Sequence, residues 1–562
     1  MKKSIALVLS LFSVASMLFS CGNQPSDDNK CDPDDMFCDN DDEKPTDTIT
    51  LEDDLSNSYN LDKTVTNING SCNYEIFVRS FYDSDGDGIG DLNGVTYQLP
   101  YLFSLGVKNL WLMPINPSPS YHGYDVKDYY GINPDYGTFE DFKNLVKEAK
   151  KYNIGIILDE VFNHCSNQSQ WFIDSYNDYK SNNTSIDSKK DWFNWSEVSK
   201  SGYNQYGGLY YESRFSSTMP DLNLDNEDVL KEIEDICKFW IENGVEGFRL
   251  DAVLYYYFGN TTANVKFLNW LQETCNKYKE NFYIVGECWD NQTIINKYYT
   301  SNITSLFSFP SSLASATDGS IVGCVKGVND ASKFASYIET QEANMKSINA
   351  NAVSSYFLSN HDMDRSSNNL TGTYAKTAAS VTYLLPGTPY IYYGEEIGLL
   401  GVRKTSPEDA SDARRRLPMV WSSSNKTGLC DFPESSRLDL DNNTQVSKGV
   451  EDNLSDPYSL TSHYLKVLNV RNKFPIIKDG TFKDLSSVIT SDNKRILAYE
   501  IIKDDQKIVI IHNLSSIGAK VKLNSVSNKI LDSINTSKKI PSLKDDTLLI
   551  GGYSSVVLNC VN

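Results

Sequence analysis

The sequence predicts a (β/α)8 barrel with further domains attached, and three observations lead to this fold class. Short apolar segments typical of buried strands repeatedly end in a polar or acidic residue, and a segment with helical periodicity follows. This alternation recurs too often for a doubly wound sheet, which has a single switch point. The acidic residues also lie where such a barrel places its chemistry, at the carboxyl ends of the strands.

Length and composition narrow the class of protein. At 562 residues the chain needs two or three domains, and 40% hydrophobic with 12% aromatic residues indicates a globular protein. A net charge of −22 argues against a nucleic-acid partner, because phosphates require a basic surface. The 35 tyrosines fit the binding of sugars, but ordinary packing explains them at least as well.

The first 21 residues predict a targeting segment. Lys2 and Lys3 precede an apolar run over residues 5–20 that is too short for a stable membrane span. The run ends in LFSC, which resembles a bacterial lipoprotein cleavage site and would leave Cys21 as the lipidated first residue; an ordinary secretory signal is the alternative. We therefore expect a protein held by lipid on the extracellular side of a bacterial membrane.

A polar, acid-rich stretch follows the targeting segment. Residues 22–70 cannot bury a core, which predicts a disordered tether. Apart from Cys21 the chain has ten cysteines without metal-type CxxC spacing, and Cys31 and Cys38 in the tether could form a disulfide. The pairing of the others cannot be read from the sequence.

The barrel prediction rests on seven candidate strands and the helices between them. The strands are predicted at residues 73–81, 107–113, 155–158, 247–250, 282–285, 354–358 and 390–392. Helices are predicted at residues 97–105, 139–152, 228–243, 265–278 and 456–473.

The strand at residues 247–250 ends in Asp251, two residues after Arg249. Because side chains alternate along a strand, the two side chains lie on the same face, where the arginine can hold the carboxylate ionised and aimed. A nucleophilic carboxylate requires that arrangement, but a purely structural ion pair is an equal alternative for this segment alone.

A run of acids after the first strand predicts a calcium site. Carboxylates occur at alternate positions of a glycine-containing turn, and oxygens at positions 1, 3, 5, 7 and 9 form a cage for a hard cation. The predicted ligands are Asp83, Asp85, Asp87, the carbonyl of Ile89, and Asp91. Position twelve is Gly94, so the loop is EF-like without the bidentate glutamate, and a solvated acidic turn is the alternative.

Six further motifs resemble the α-amylase family of retaining glycoside hydrolases. DEVFNH, MPDLN, GFRLDAV, GECWD, SNHD and GTPYIYYGEE occur in the order and rough spacing of that family, over about residues 72–474. The resemblance implies a nucleophile at Asp251, an acid/base at Glu287 and a third carboxylate at Asp362. The apolar neighbours of Glu287 would raise its pKa, as an acid acting at neutral pH requires.

The resemblance also assigns residues around the three acids. Arg249 matches the arginine that orients the nucleophile, and His164 and His361 match histidines that bind hydroxyls of the sugar at the cleavage site. His122 lies beside Tyr124, which resembles the aromatic platform under the same sugar. Asn163 matches a position that often binds a second calcium.

Three positions near these motifs narrow the expected specificity. Many amylases carry Lys-His shortly after the nucleophile, where this chain has Leu254-Tyr255, so leaving-side binding would use stacking on Tyr255 or Tyr256. Exo-acting relatives usually carry Asp where this chain has Tyr121, which favours an open cleft. Ala252 resembles the α-1,4-acting branch of the family.

The resemblance completes the domain prediction. The barrel is expected at residues 71–164 and 222–473, with an inserted domain at 165–221 and an antiparallel β-sandwich at 474–562. The inserted segment shows no helical period, and Trp192 and Trp195 in it are expected mainly to pack its core.

Together these features predict a monomeric extracellular α-amylase that hydrolyses internal α-1,4 bonds of starch with retention and binds Ca²⁺. Neopullulanase, cyclomaltodextrinase or 4-α-glucanotransferase activity of the same scaffold is the alternative among enzymes. A non-catalytic starch-binding protein is the alternative of another class, and the presence of all three acids argues against it.

Overall fold

The computed structural model describes residues 70–312, 317–403, 412–433 and 446–561. The predicted targeting segment with Cys21, the tether and the pair Cys31–Cys38 lie outside these residues. In the described part of the chain no helix is both long and apolar enough to cross a membrane, and each of its eight cysteines carries a free thiol.

Eight parallel strands form the barrel and confirm the predicted fold class. They are β1 (Asn73–Ile76), β2 (Asn109–Leu112), β3 (Gly155–Glu160), β4 (Gly247–Leu250), β5 (Tyr283–Gly286), β6 (Ser305–Phe307), β7 (Val353–Ser355) and β8 (Tyr390–Tyr392). Their spatial order is β7-β6-β5-β4-β3-β2-β1-β8. A parallel bridge between Phe357 and Tyr390 brings the chain after β7 against β8 and closes the barrel.

The barrel is packed by bulky side chains, as strands buried on both faces require. Trp111, Tyr283, Phe307, Phe357 and Tyr390 belong to one buried interior cluster. The α-helices of the described residues are Leu92–Tyr97, Leu99–Leu105, Phe139–Lys151, Gln170–Ser181, Glu227–Glu242, Thr261–Tyr278, Gln292–Tyr298, Ile321–Lys326, Ala331–Ile348, Thr373–Leu384, Val450–Leu454, Leu460–Lys473 and Ile476–Asp479.

The helix Phe139–Lys151 illustrates how local sequence sets these elements. Thr138 caps its first turn in a capping box with Asp141, which satisfies main-chain N–H groups that have no partner within the helix. Phe142 and Leu145 are fully buried on its inner face. The cap and the apolar face together fix where the helix begins and how it packs.

Two barrel elements differ from the sequence prediction. β6 was not predicted, because it has only three residues and begins with Ser305. The first strand is shorter than residues 73–81, since the chain after Ile76 turns into a 3₁₀ helix at Val78–Ser80.

The inserted segment, residues 165–221, contains a helix, Gln170–Ser181, although its sequence shows no helical period, so the expectation of no helix in this segment is wrong. Its sequence is polar and shows only a narrow apolar face, but Ser169 caps it and Phe172 anchors it. Phe172 packs against Trp195 with ring centroids 5.2 Å apart, and Trp192 is buried. Both tryptophans thus contribute to the core of this segment. Its antiparallel sheet consists of Trp195–Ser196, Leu209–Glu212 and Tyr203–Tyr206.

The C-terminal part forms two antiparallel sheets, as predicted. The five-stranded sheet contains Thr481–Asp484, Ile496–Lys503, Gln506–Asn513, Ser555–Asn559 and Ile530–Ile534 in spatial order. The four-stranded sheet contains Thr490–Ser491, Ala519–Lys522, Thr547–Ile550 and Ser542–Lys544. Val509, Val521 and Leu548 belong to the apolar cluster between them.

Arg471 fastens the amino ends of two barrel strands. Its buried guanidinium donates hydrogen bonds to the main-chain carbonyls of Gly70, Tyr383, Leu385 and Gly387. Gly70 lies three residues before the first residue of β1, and Gly387 lies three residues before the first residue of β8. The chain therefore enters the barrel at the end opposite the carboxyl ends of the strands.

Candidate active site

Acidic side chains converge at the carboxyl ends of the barrel strands. Asp251 and Glu287 directly follow β4 and β5, and Asp362 lies in the loop after β7. Asp159 and Glu75 project from β3 and β1. Because all strands are parallel, residues far apart in the sequence meet at one end of the barrel.

Arg249 lies at the centre of this group and is only 1% exposed. One of its terminal nitrogens, Nη1, donates to Asp159 at 2.7 Å and to Asp251 at 2.8 Å. Its other terminal nitrogen, Nη2, lies 3.0 Å from Oε2 of Glu287. One rigid guanidinium therefore holds Asp251 and Glu287 side by side, with 12% of the Asp251 side chain and 10% of the Glu287 side chain exposed.

Glu287 has the protonation behaviour that an acid needs at neutral pH. Burial raises the pKa of Glu287 to about 7, with Arg249 opposing the shift and Asp251 adding to it. Its Oε2 accepts a hydrogen bond from the main-chain N–H of Ala252 at 3.0 Å. Ala252 has a left-handed backbone with φ 48°, a conformation that is costly for a residue with a side chain. This backbone turns the chain after Asp251 so that its N–H faces Glu287.

Asp362 is held as an anion. Burial alone would raise its pKa, but His361, Arg416 and Arg249 outweigh burial and leave the pKa below the usual range. Arg416 Nη2 donates to its Oδ1 at 2.9 Å, and His361 Nε2 lies 3.1 Å from its Oδ2. About a third of the carboxylate side chain is exposed, so it faces the cleft.

His361 is a buried cation between two acids. Burial lowers its pKa, but Asp362 and Glu75 raise the pKa of His361 to about 10. Nδ1 lies 2.5 Å from Oε1 of Glu75. The imidazole stacks on the ring of Tyr124, whose hydroxyl donates to Asp159 at 2.9 Å. Glu75 thereby fixes the ring that faces Asp362.

The other two predicted histidines line the same cleft. His164 is buried, and its Nε2 has no partner among the described residues. Burial lowers the pKa of His122 to about 4, and its Nδ1 accepts a hydrogen bond from the main chain of Tyr124. Burial also lowers the pKa of His164, so both rings are neutral at neutral pH, and the Nε2 of His164 is available to a ligand hydroxyl.

A cleft of about 1320 Å³ lies beside these groups, and it is lined by Tyr121, His164, Asp251, Asp362 and Arg416 among others. Arg416 Nη1 is buried without a partner among the described residues, and its guanidinium lies 5.7 Å from the centre of the Tyr121 ring. A cleft with unpaired buried donors in its wall suits a ligand that is rich in hydroxyl oxygens.

The predicted calcium loop adjoins this cleft. Side-chain oxygens of Asp83, Asp85 and Asp91 lie within 4.8 Å of one another. The carboxylate of Asp87 is outside that group and accepts from the N–H of Ile89 at 2.7 Å. Three clustered carboxylates supply hard oxygen donors, which fit calcium.

Asn163 lies away from the acidic loop. Its side-chain nitrogen donates to Asp221 at 3.3 Å and lies 3.2 Å from Nδ1 of His164. Burial raises the pKa of Asp221 to about 7. In this arrangement Asn163 links the inserted segment to His164.

Four residues of the site were not predicted from the sequence: Glu75, Trp111, Asp159 and Arg416. Asp159 accepts from Nε1 of Trp111 at 3.2 Å as well as from Arg249. Glu75 and Asp159 point inward from strands, and a buried acid on an otherwise apolar strand was the available signal. Arg416 lies in residues 414–421, a segment that resembles a family loop on the substrate side, but the sequence does not distinguish it from the two arginines before it.

Of the two tyrosines expected to stack on the leaving side, Tyr256 is only 6% exposed and cannot stack on a ligand, so the expectation that named it as an alternative to Tyr255 is wrong.

Comparison with known proteins gives consistent matches. A family model described as "Alpha amylase, catalytic domain" matches residues 75–480, and "Alpha-amylase SusG C-terminal domain" matches residues 496–557. Alpha-amylase 3 of Dictyoglomus thermophilum is 37% identical over 493 residues, covering 86% of this chain and 92% of the relative. Alpha-amylase SusG of Bacteroides thetaiotaomicron is 29% identical, covering 87% and 91%. The solved structure of Eubacterium rectale Amy13B superposes with a TM-score of 0.81 at 36% identity, covering 88% of this chain and 96% of that one.

Proposed function

The chain belongs to the α-amylase family of retaining glycoside hydrolases, and from that membership we propose that it hydrolyses internal α-1,4 bonds of starch-like glucans. The observation that carries the proposal is the contact of one buried guanidinium, that of Arg249, with both Asp251 and Glu287. Retaining hydrolysis needs two carboxyl groups about 5–5.5 Å apart, one to attack and one to protonate. A shared arginine holds two acids at short range.

In the proposed reaction Asp251 attacks the anomeric carbon while Glu287 gives its proton to the leaving oxygen. Glu287, now a carboxylate, then takes a proton from water, whose oxygen displaces Asp251 from the sugar with overall retention. Asp362 accepts hydrogen bonds from sugar hydroxyls and stabilises the positive charge that develops on the ring. His164 and His122 contact hydroxyls of the same sugar, with Tyr124 beneath it.

Endo-action is proposed from the shape of the cleft beside Tyr121, on the donor side of the cleavage site. Tyr121 stands where exo-acting relatives usually carry an acid, and the cleft beside it is large and open. An acid at that position would be placed to pair with Arg416, whereas the tyrosine ring leaves Nη1 of Arg416 without a partner among the described residues. A glucan chain that continues past the cleavage site would therefore fit in the cleft.

Calcium is proposed at Asp83, Asp85, Asp87, Asp91 and the carbonyl of Ile89. The ion would neutralise crowded carboxylates and stiffen the loop. Asp431 on the cleft wall donates its N–H to the carbonyl of Gly88 at 2.7 Å, so a rigid loop supports that wall. Asn163 is proposed as a ligand of a second ion only together with Asp221.

Cys21 is proposed as the lipid-bearing residue, which would place the enzyme on the extracellular side of a membrane. The support is the LFSC sequence after an apolar run. Labelling of cells with an alkyne fatty acid should mark the full-length protein but not the Cys21→Ser variant. Equal labelling of both would refute lipid attachment at this residue.

The function is tested by following the products of amylose digestion with wild type and the Asp251→Asn variant. An early spread of mixed maltooligosaccharides from wild type, absent in the variant, is the expected result. Glucose or maltose alone from the outset would refute endo-action, and longer or cyclic products would indicate a transferase. Binding of amylose without any product from wild type would refute catalysis.

A further inference from the structure

Two segments that carry arginines bond to each other beside the active site. One is the loop at residues 361–365, which follows β7, and the other is the segment at residues 412–416. Each segment uses an arginine to bond a main-chain carbonyl of the other. Arg416 Nε donates to the carbonyl of His361 at 3.2 Å, and Arg365 Nε donates to the carbonyl of Arg415 at 2.8 Å. The position of either segment therefore depends on the other.

The side chain of Arg415 is only 11% exposed and contacts three acidic residues of these segments. Its Nη1 donates to the main-chain carbonyl of Asp362 at 2.6 Å and to Oδ1 of Asp412 at 2.9 Å. Its Nε donates to Oδ1 of Asp364 at 2.9 Å, and its Nη2 lies at the same distance from that oxygen. One guanidinium thus holds the backbone of Asp362 and the carboxylate that lies two residues further along.

Arg415 contacts the backbone of Asp362 and leaves its carboxylate to other cations. Arg416 and His361 pair with that carboxylate and lower its pKa, together with Arg249. Among the described residues that line the cleft, Arg416 is included and Arg415 is not. Arg415 can therefore set where Asp362 lies, but a substrate in the cleft would not touch it.

The main chain of Arg415 is itself fixed to the barrel. Its carbonyl accepts from Arg365 and, at 3.1 Å, from the hydroxyl of Tyr392 in β8. The guanidinium of Arg365 lies 4.1 Å from the centre of the Tyr392 ring and also donates to the carbonyl of Tyr393. Through these contacts Arg415 connects the end of β8 to the loop that carries Asp362.

The loop has two further contacts that do not involve Arg415. The N–H of Asp362 donates to the side-chain oxygen of Asn360 at 3.1 Å, and Met363 is buried in the interior cluster of the barrel. These contacts keep the loop folded against the barrel. The carbonyl of Asp362 is held by Arg415, so the orientation of this peptide group depends on the arginine.

We propose that Arg415 is a positioning residue, which fixes the backbone at Asp362 so that its carboxylate meets the positive charge developing on the sugar ring. The inference rests on the proposed function, in which Asp362 stabilises that charge. Such stabilisation depends on where the carboxylate lies, and a displacement of about 1 Å can lower a rate about 100-fold. Because other groups also bind the sugar, the loss should appear in kcat more than in KM.

The first measurement is of kcat and KM on maltohexaose for Arg415→Met, which keeps most of the side-chain length but removes its donors. We expect kcat to fall about 10- to 100-fold and KM to change about two-fold or less. Arg403→Met is the matched control, because Arg403 lies 3.8 Å from the same Asp412 and its side chain is 57% exposed. Its kcat should stay within about two-fold of wild type.

A double-mutant cycle then separates the positioning of Asp362 from a general effect on the fold. The four proteins are wild type, Arg415→Met, Asp362→Asn and the double variant, compared by kcat/KM on α-maltosyl fluoride, a reactive donor on which weak variants can be measured. The loss caused by Arg415→Met should shrink to about two-fold or less in the Asp362→Asn background. Equal losses in both backgrounds would overturn the inference, as would a folded Arg415→Met enzyme with wild-type kcat.

Asp364→Ala takes the place of Arg415→Met if thermal unfolding shows that the latter does not fold. It keeps Arg415 but removes the carboxylate that orients its guanidinium, so kcat should fall about three- to ten-fold, and only while Asp362 is intact. An unchanged kcat, or a loss that persists in the Asp362→Asn background, would overturn the inference. Failure of the proposed function would appear differently, as a wild-type enzyme that does not cleave maltohexaose at all.

Discussion

Two groups of buried carboxylates lie at the same end of the barrel, and their partners differ. Asp251, Glu287 and Asp362 contact arginines and a histidine. Glu395 and Glu396, which follow β8, instead accept hydrogen bonds from tyrosine hydroxyls. Tyr383 and Tyr464 donate to Glu395, and Tyr74 and Tyr101 donate to Glu396, at 2.5–2.8 Å.

Burial raises the pKa of acids in both groups, and only at Asp362 do neighbouring cations outweigh it. Burial raises the pKa of Glu395 to about 7 and also raises that of Glu396. In the active-site group, cations keep Asp362 anionic, whereas burial raises the pKa of Glu287 to about 7 against the effect of Arg249. A hydroxyl shell stabilises packing around a neutral acid, whereas fixed cations let neighbouring acids hold different charges, which two-step catalysis requires.

Substitution of Asp251, the proposed nucleophile, should give the largest effect and should distinguish the active-site acids from the tyrosine-bound pair. Asp251→Asn keeps the shape and one hydrogen bond to Arg249 but cannot form the covalent intermediate. We expect kcat on maltohexaose to fall on the order of 10⁴-fold or more. Thermal unfolding should change little, and a variant that retained a tenth of the activity would exclude Asp251 as nucleophile.

Substitution of the acid should give a smaller loss and a changed pH profile. Because Glu287 must be protonated and its pKa lies at about 7, wild-type kcat/KM on maltohexaose should fall as pH rises through about 7. In the Glu287→Gln variant, kcat/KM on maltohexaose should be about 10²- to 10⁴-fold lower, and it should no longer fall as the pH rises through about 7. If kcat/KM of the variant fell with pH as in the wild type, the titrating group would not be Glu287.

Substitution in the tyrosine-lined group should reduce stability rather than the rate per folded molecule. Glu396→Ala leaves the hydroxyls of Tyr74 and Tyr101 without their acceptor and opens a cavity, which should cost about 2–4 kcal/mol of unfolding free energy. Glu396→Gln keeps an acceptor oxygen and serves as the control, with a smaller loss. Equal losses in urea denaturation would contradict the hydrogen-bond explanation.

The protonation of Glu395 predicts a pH dependence of stability with a defined sign. Its pKa rises from 4.5 in the unfolded chain to about 7, so the folded state binds the proton more tightly. Its contribution to stability is full below about pH 4.5 and declines as pH rises to about 7. The unfolding temperature of Glu395→Gln should decline less than that of wild type between pH 5 and 7.5; identical slopes would contradict a neutral Glu395.

Removal of calcium from the proposed calcium loop should give the smallest effect. Among the described residues, no positively charged side chain pairs with the clustered acids of this loop. Chelation of calcium should lower the unfolding temperature by a few degrees, as for the loss of a bound ion worth about 1–3 kcal/mol. Restoration of calcium should reverse the decrease in wild type but not in Asp85→Asn. An unfolding temperature that is independent of calcium would leave the loop as a solvated acidic turn.

Elements with a clear local sequence pattern could be predicted from the sequence. Asp251 and Glu287 directly follow short apolar strands, Asp362 lies in the loop after β7, and the barrel follows from the repetition of strand, polar residue and helix. Partners from distant strands were not predictable, because Glu75 meets His361 across 286 positions and only closure of the barrel brings them together. Strand β6 was not predicted because three residues are too few to show a periodicity. The helix Gln170–Ser181 was not predicted because its sequence is polar and one phenylalanine anchors it.

The clamp made by Arg471 has a consequence for the orientation of the enzyme. Gly70 is fixed at the amino end of β1, whereas the cleft opens at the carboxyl ends of the strands. A lipid-bearing segment ahead of Gly70 would therefore leave the barrel from its underside. The mouth of the cleft would then lie on the side of the barrel opposite the point where such a segment attaches, so the segment would not have to cross it.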